Sequence, residues 1–222
     1  MSQELWAHVD DYVSKTVVRP DAALESAISA TERAGMPPIA VSAPQGKLLA
    51  LLATIVGANQ ILEIGTLGGY STIWMARALP PGGKLISLEV DPRHAEVARK
   101  NIAGAGVDHV AEVRVGAALD TLPDLQKEGA GPFDLSFVDA DKVNIPAYFE
   151  WCVTLSRPGA VIMVDNVVRN GALADPASGD PAVQGVRALH AMIAGDNRVS
   201  ATTIQTVGSK GYDGFTLAFV RL

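Results

Sequence analysis

The chain has 222 residues, 48% of them hydrophobic and 19% charged, enough for one α/β domain whose core needs no covalent staples. A net charge of −6 with no clustered Lys or Arg argues against a nucleic-acid or anionic-membrane partner. The single cysteine, Cys152, excludes an internal disulfide framework, no apolar run approaches the ~18 residues of a membrane span, and the acidic, amphipathic start MSQELWAHVDDYVSK is unlike a signal peptide, so a cytoplasmic protein is expected.

Two helical stretches open the chain, about 2–18 and 21–34, split at Arg19-Pro20-Asp21 and ended by Gly35. A third begins at Ser42, a candidate N-cap, with Pro44 in the first turn and Gln45 three residues after Ser42 as in a capping box. Leu48, Leu51, Leu52 and Ile55 follow at helical spacing and are expected in the core. From residue 60 short β-rich runs alternate with helical stretches, the pattern of a parallel sheet covered by helices. The strands are predicted at 60–64, 84–90, 109–115, 133–139 and 160–165; after a helix at about 181–195 come 199–207 and 214–222. The link between this last pair is too short for a parallel crossover, which makes it an antiparallel hairpin. No repeat or linker divides the chain, so residues 1–222 read as one domain, with a helical region 1–40 before a core 41–222.

ILEIGTLGGYS, 61–71, is a strand followed by glycines and a helix, where backbone N–H groups can approach a ligand. Such a turn also occurs with no ligand, and Leu67 and Tyr70 stand where a dinucleotide fingerprint has glycine, which counts against NAD. Glu63, inside an apolar strand, needs donors to offset its burial. Glu89 ends the next strand, where an acid can accept from both hydroxyls of a ribose, while Asp91 before Pro92 reads as a helix cap. VDADK, 138–142, is by itself most simply a loop of solvated charges. Together with Asp165-Asn166 at the end of the fifth strand, Asp139 completes a set of three hard oxygen donors suited to Mg²⁺ or Ca²⁺. His8, His94, His109 and His190 show no ligand spacing. An NAD oxidoreductase and a non-catalytic nucleoside-binding module remain alternatives.

Taken together, EIGTLGGYS, SLEVD, GAAL, VDADK and VDNVVRNG resemble the class I S-adenosylmethionine-dependent O-methyltransferases of the metal-dependent catechol and caffeoyl-CoA type, over roughly residues 40–220. The resemblance implies a Rossmann-like fold with a seven-stranded, mostly parallel sheet, an antiparallel C-terminal hairpin and helices on both faces. It implies cofactor contacts from Val41, Glu63, Gly65, Thr66, Ser71, Glu89, Ala118 and Asp139. Asp139, Asp165 and Asn166 would hold a divalent cation (Mg²⁺, with Ca²⁺ or Mn²⁺ as alternatives), Lys142 would be the general base, and Asn170 a substrate neighbour. A small aromatic vicinal diol as substrate and a homodimer are implied as well. Arg169 departs from the pattern: plant members carry tryptophan there.

Overall fold

Burial on both faces makes four short apolar runs into central strands. The computed structural model describes residues 2–221; Met1 and Leu222, the ends of the predicted domain and of its last strand, lie outside the described residues. β1 (Gln60–Ile64), β2 (Lys84–Glu89), β3 (Ala111–Val115), β4 (Phe133–Val138) and β5 (Ser156–Asp165) pair in parallel; β6 (Val199–Gly208) and β7 (Gly211–Val220) follow. The order is β3-β2-β1-β4-β5-β7-β6, with β7 antiparallel to both β5 and β6. The predicted sheet is therefore present, with β7 alone running against the other described strands. Chain direction reverses outward from β1, so the carboxyl ends of β1 and β4 flank the switch point where such sheets take ligands.

Two strands begin earlier than the sequence suggests. β5 starts at Ser156 rather than 160, because Ser156 pairs with Phe133 across a bulge before regular pairing resumes at Leu135. β7 starts at Gly211 rather than 214, because the hairpin continues through Tyr212 and Asp213 to its two-residue tip.

Helices cover both faces. On one, α6 (Ala118–Lys127), α7 (Ile145–Leu155) and α8 (Pro181–Gly195) pack Leu122, Phe149 and Val186 on Leu62, Phe133 and Ile162. On the other, α2 (Ala22–Arg33), α3 (Ala43–Ile55), α4 (Tyr70–Ala76) and α5 (Pro92–Gly104) pack Leu24, Leu49, Ile73 and Ala98 on Ile61, Leu85 and Phe137. α1 (Gln3–Val13) runs on into a π-helical turn, Ser14–Val18, that Arg19 ends in the left-handed region at φ 49°. The predicted caps form: Ser42 Oγ accepts from Gln45 N at 3.4 Å, and Asp91 Oδ1 accepts from Arg93 N at 2.8 Å.

The core face of α3 is not the expected one. Gly46, Leu49 and Ala53 are buried, Leu48 and Leu52 are half-buried, and Leu51 and Ile55 are 47% and 77% exposed. The cause is the approach of α4. A Cβ on Gly46 would lie 2.3 Å from Trp74 Cδ1, so the helix turns its smallest residue to the indole and carries Leu49 and Ala53 inward with it. Leu49→Ala is expected to lower unfolding stability by about 2–5 kcal/mol, the range for an emptied core leucine, and Ile55→Ala by less than about 0.5 kcal/mol. Urea titration of both variants checks the register; equal losses would reverse it.

Candidate active site

A cavity of ≈ 970 Å³ opens at the carboxyl edge of the sheet, walled by the segments that follow each of the strands β1 to β5 and by Pro37 and Ile39 to Val41. Gly65, Thr66, Ser71, Glu89 and Ala118 line the β1–β2 side, Asp139, Lys142, Asn166 and Arg169 the β4–β5 side, and Val41 the N-terminal wall. Most of the residues singled out from sequence thus meet at one cavity.

The glycine turn after β1 is built first by packing. Gly65 has φ 101°, and a Cβ there would lie 2.2 Å from Asp139 O; at Gly68 a Cβ would meet Thr31 Oγ1 at 1.9 Å. These two glycines let β4 and α2 close on the turn, and Gly69 (φ 80°) leads into α4 in the left-handed conformation. Glu89 then fixes the turn: its Oε2 accepts from Leu67 N at 2.8 Å and Thr66 N at 3.3 Å, and its Oε1 from Asp91 N at 3.0 Å. The acid at the end of β2 is therefore a clamp on the glycine turn, and it lines the cavity.

Glu63 stands behind the wall rather than in it. It is fully buried, and its carboxylate accepts from Ser71 Oγ at 2.5 Å, from Ser87 Oγ at 2.6 Å and from Thr72 Oγ1. Burial pushes its pKa up to about 7 against the pull of these three hydroxyls. It reaches the cavity through Ser71, whose hydroxyl it orients.

At the other side Asp139 Oδ1 accepts from Lys142 Nζ at 3.0 Å, and Lys142 is 8% exposed. Gly185 of α8 holds this segment: a Cβ there would lie 2.0 Å from Lys142 O. Asp165, 5% exposed, accepts from Asn166 N at 2.8 Å and from Gln45 Nε2 at 2.6 Å. Burial and the charge of Asp139 raise the Asp165 pKa to about 7. Asn166 sits in the left-handed region at φ 54°, and its carboxamide makes no hydrogen bond among the described residues. Asp165, buried against the charge of Asp139 and beside an amide with no hydrogen bond among the described residues, is under-compensated, and a divalent cation fits that donor chemistry. Among the described residues no group of three or more His, Cys, Asp and Glu forms a further metal candidate.

Asp141 braces the loop: it accepts from Asn144 N at 3.0 Å, from Asn144 Nδ2 at 3.0 Å and from Tyr148 OH at 2.5 Å. Burial, with Asp141 beside it, raises the Tyr148 pKa. Asn170 is exposed and outside the cavity wall. Sequence reasoning missed two residues. Gln45 completes no capping box, because its side chain turns to Asp165 instead; His94 lines the cavity with Nδ1 3.8 Å from Glu89 Oε1. For His94 the three-residue step from the Asp91 cap was a usable signal. For Gln45 there was none, since its partner is 120 residues away.

Comparisons with known proteins agree with this geometry. A family model described as O-methyltransferase matches residues 14–220. A catechol O-methyltransferase of Niastella koreensis is 52% identical, covering 100% of both chains. The solved structure of the O-methyltransferase TomG of Streptomyces achromogenes, involved in tomaymycin synthesis and in complex with SAM, is 56% identical over 100% of each chain with TM-score 0.97. An O-methyltransferase of Bacillus cereus in complex with SAH is 53% identical, covering 99% of this chain and 100% of that one, also with TM-score 0.97.

The buried acid of β1 gives a pH signature. Its folded pKa lies above the ordinary 4.5, so the protonated form is the one folding favours, and its contribution to stability fades as pH rises from 4.5 through about 7. The stability of Glu63→Gln relative to the wild type is therefore expected to improve across that window by up to about 3 kcal/mol. Urea titrations of the ligand-free pair at several pH values measure it; a pH-independent difference would show that Glu63 is ionised throughout.

Proposed function

This chain belongs to the O-methyltransferase family, and on that premise we propose that it transfers the methyl group of S-adenosylmethionine to one oxygen of a vicinal aromatic diol in a divalent-cation-dependent reaction. The carrying observation is the meeting of Asp139, Lys142 and Asn166 in the cavity wall opposite the Glu89 turn, with Asp165 close behind.

On this reading the glycine turn and Ser71 receive the methionine part of the cofactor, Glu89 accepts from the ribose hydroxyls, and Ala118 and Val41 supply apolar wall. S-adenosylmethionine brings an electrophilic methyl on a sulfonium. A divalent cation held by Asp139, Asp165 and Asn166, Mg²⁺ by the hardness of the donors with Ca²⁺ or Mn²⁺ as alternatives, would hold two adjacent hydroxyls and make one more acidic. Lys142 Nζ takes the proton from the attacking hydroxyl. Asp139, 3.0 Å away, keeps that nitrogen in place, and the resulting ammonium is stabilised by the same carboxylate. Transfer consumes a phenolate and a sulfonium, so the low polarity of Pro37, Ile39 and Ala40 in the wall favours the reaction by keeping water away from both charges.

Methylation of a catechol is expected to stop after exhaustive chelation and return with Mg²⁺, with the rescue blunted in Asp165→Ala; a monohydroxy analogue should stay slow throughout. A full rate without metal would sink the cation assignment. Cofactor binding and chemistry separate in two further variants. Calorimetry should show Glu89→Ala weakening S-adenosylmethionine binding by about 1–3 kcal/mol, whereas Lys142→Ala should lower kcat with cofactor affinity nearly intact. Wild-type affinity in Glu89→Ala would remove Glu89 from the ribose site.

A further inference from the structure

Three arginines of the described chain are half-buried: Arg114, Arg157 and Arg169. Arg114 bonds Glu112 and Glu128, and Arg157 bonds Asp134. Arg169 has no such partner. Its Nε is buried without a hydrogen bond, and its guanidinium makes no hydrogen bond or ion pair with any described residue, although Arg169 lines the cavity beside Asp139, Lys142 and Asn166. A buried donor of a permanent cation left unmatched costs stability unless a ligand supplies the acceptor.

The backbone holds the arginine there under strain. Asn166, Arg169 and Asn170 all have left-handed φ values of 54°, 56° and 54°, which non-glycine residues rarely adopt. Asp213 of β7 compensates: its Oδ1 accepts from Val168 N and Arg169 N, each at 2.9 Å, and from Gly214 N at 3.0 Å. Asp213 Oδ1 is thereby occupied by three main-chain N–H groups and pins the loop. Arg169 stands three residues from Asn166, so their Cα atoms are at most roughly 10 Å apart, within reach of one small aromatic ring.

We propose that Arg169 reads a carboxylate on the substrate, so that the acceptors this chain prefers are vicinal aromatic diols bearing a carboxylate on the ring or on a short side chain. The inference rests on the diol reading above. Its anion is a monoanion because the cavity wall offers few cations: Lys142 is committed to Asp139, and His94 faces Glu89. One planar guanidinium matches one carboxylate through two parallel N–H bonds, whereas a nucleotide-bearing thioester with several phosphates would need a cluster of basic residues.

The test is the ratio of kcat/KM for protocatechuate to that for its primary amide, which keeps the diol and removes the charge. Wild type should favour the acid by about 10- to 100-fold, the range of a charged hydrogen bond. Arg169→Gln should bring the ratio near unity, while Arg169→Lys, which keeps charge but not the fork, should retain part of it. A melting curve for each variant verifies folding. An independent readout uses veratrate, which has no free hydroxyl to methylate: ligand-observed NMR with S-adenosylhomocysteine and no added metal should show binding to wild type that Arg169→Gln loses. Equal acid-to-amide ratios in wild type and Arg169→Gln, or equal veratrate binding, would overturn the role of Arg169. If neither catechol is methylated by wild type, the diol reading fails, and the veratrate arm still decides whether Arg169 binds a carboxylate.

Discussion

The ligand edge depends on one close backbone approach, that of Gly65 to Asp139. Ile64 O accepts from Asp139 N at 2.9 Å, Gly65 N donates to Leu88 O at 2.9 Å, and no space for a Cβ remains between the turn and the Asp139 carbonyl. The turn after β1 is thus locked to β2 on one side and to β4 on the other. Because the chain winds outward in both directions from this place, a crevice has to open there, and the cofactor-side and substrate-side residues are brought together by the same few backbone contacts.

Three buried carboxylates show how differently the fold treats charge. Asp134 lies at the amino edge, where burial would raise its pKa, but Arg157 and the N–H groups of Gln60 and Asn59, at 2.8 and 2.7 Å, hold it below the ordinary value. It is a finished structural joint. Glu63 is compensated by neutral hydroxyls alone, and burial wins. Asp165 is opposed by burial and by Asp139 together, and its donors Asn166 N and Gln45 Nε2, with the charge of Lys142, are too few to reverse this. The acid left with the poorest compensation is the one beside the reacting space, as expected where stability is exchanged for function.

Much of this was legible in one dimension. The strands of the parallel sheet announced themselves as apolar runs, and Asp91 and Ser42 as caps, because those signals are local. The acids at the ends of β2, β4 and β5 could be placed at one edge because parallel strands present the same ends together. What stayed hidden needed a partner distant in sequence. Gln45 fitted a capping box, and only its reach to Asp165 moves it to the site. The face of α3 was misjudged because leucines at helical spacing outvoted Gly46, whose importance comes from Trp74. Asp141, read on its own as part of a loop of solvated charges, lines the cavity and braces Asn144 and Tyr148. Arg169 was visible as a departure, but its lack of a partner is a property of the folded chain.

Gly185 bears on how such a fold can change. α8 begins where the segment 166–180 ends, and its glycine rests directly on the Lys142 carbonyl. Insertions, deletions or new side chains in that segment therefore alter one wall of the cavity while the helix behind it stays seated on the backbone of Lys142. A single missing methyl group lets α8 sit against the main chain of residue 142. The cavity lining can then drift through many sequences while Lys142 stays in register.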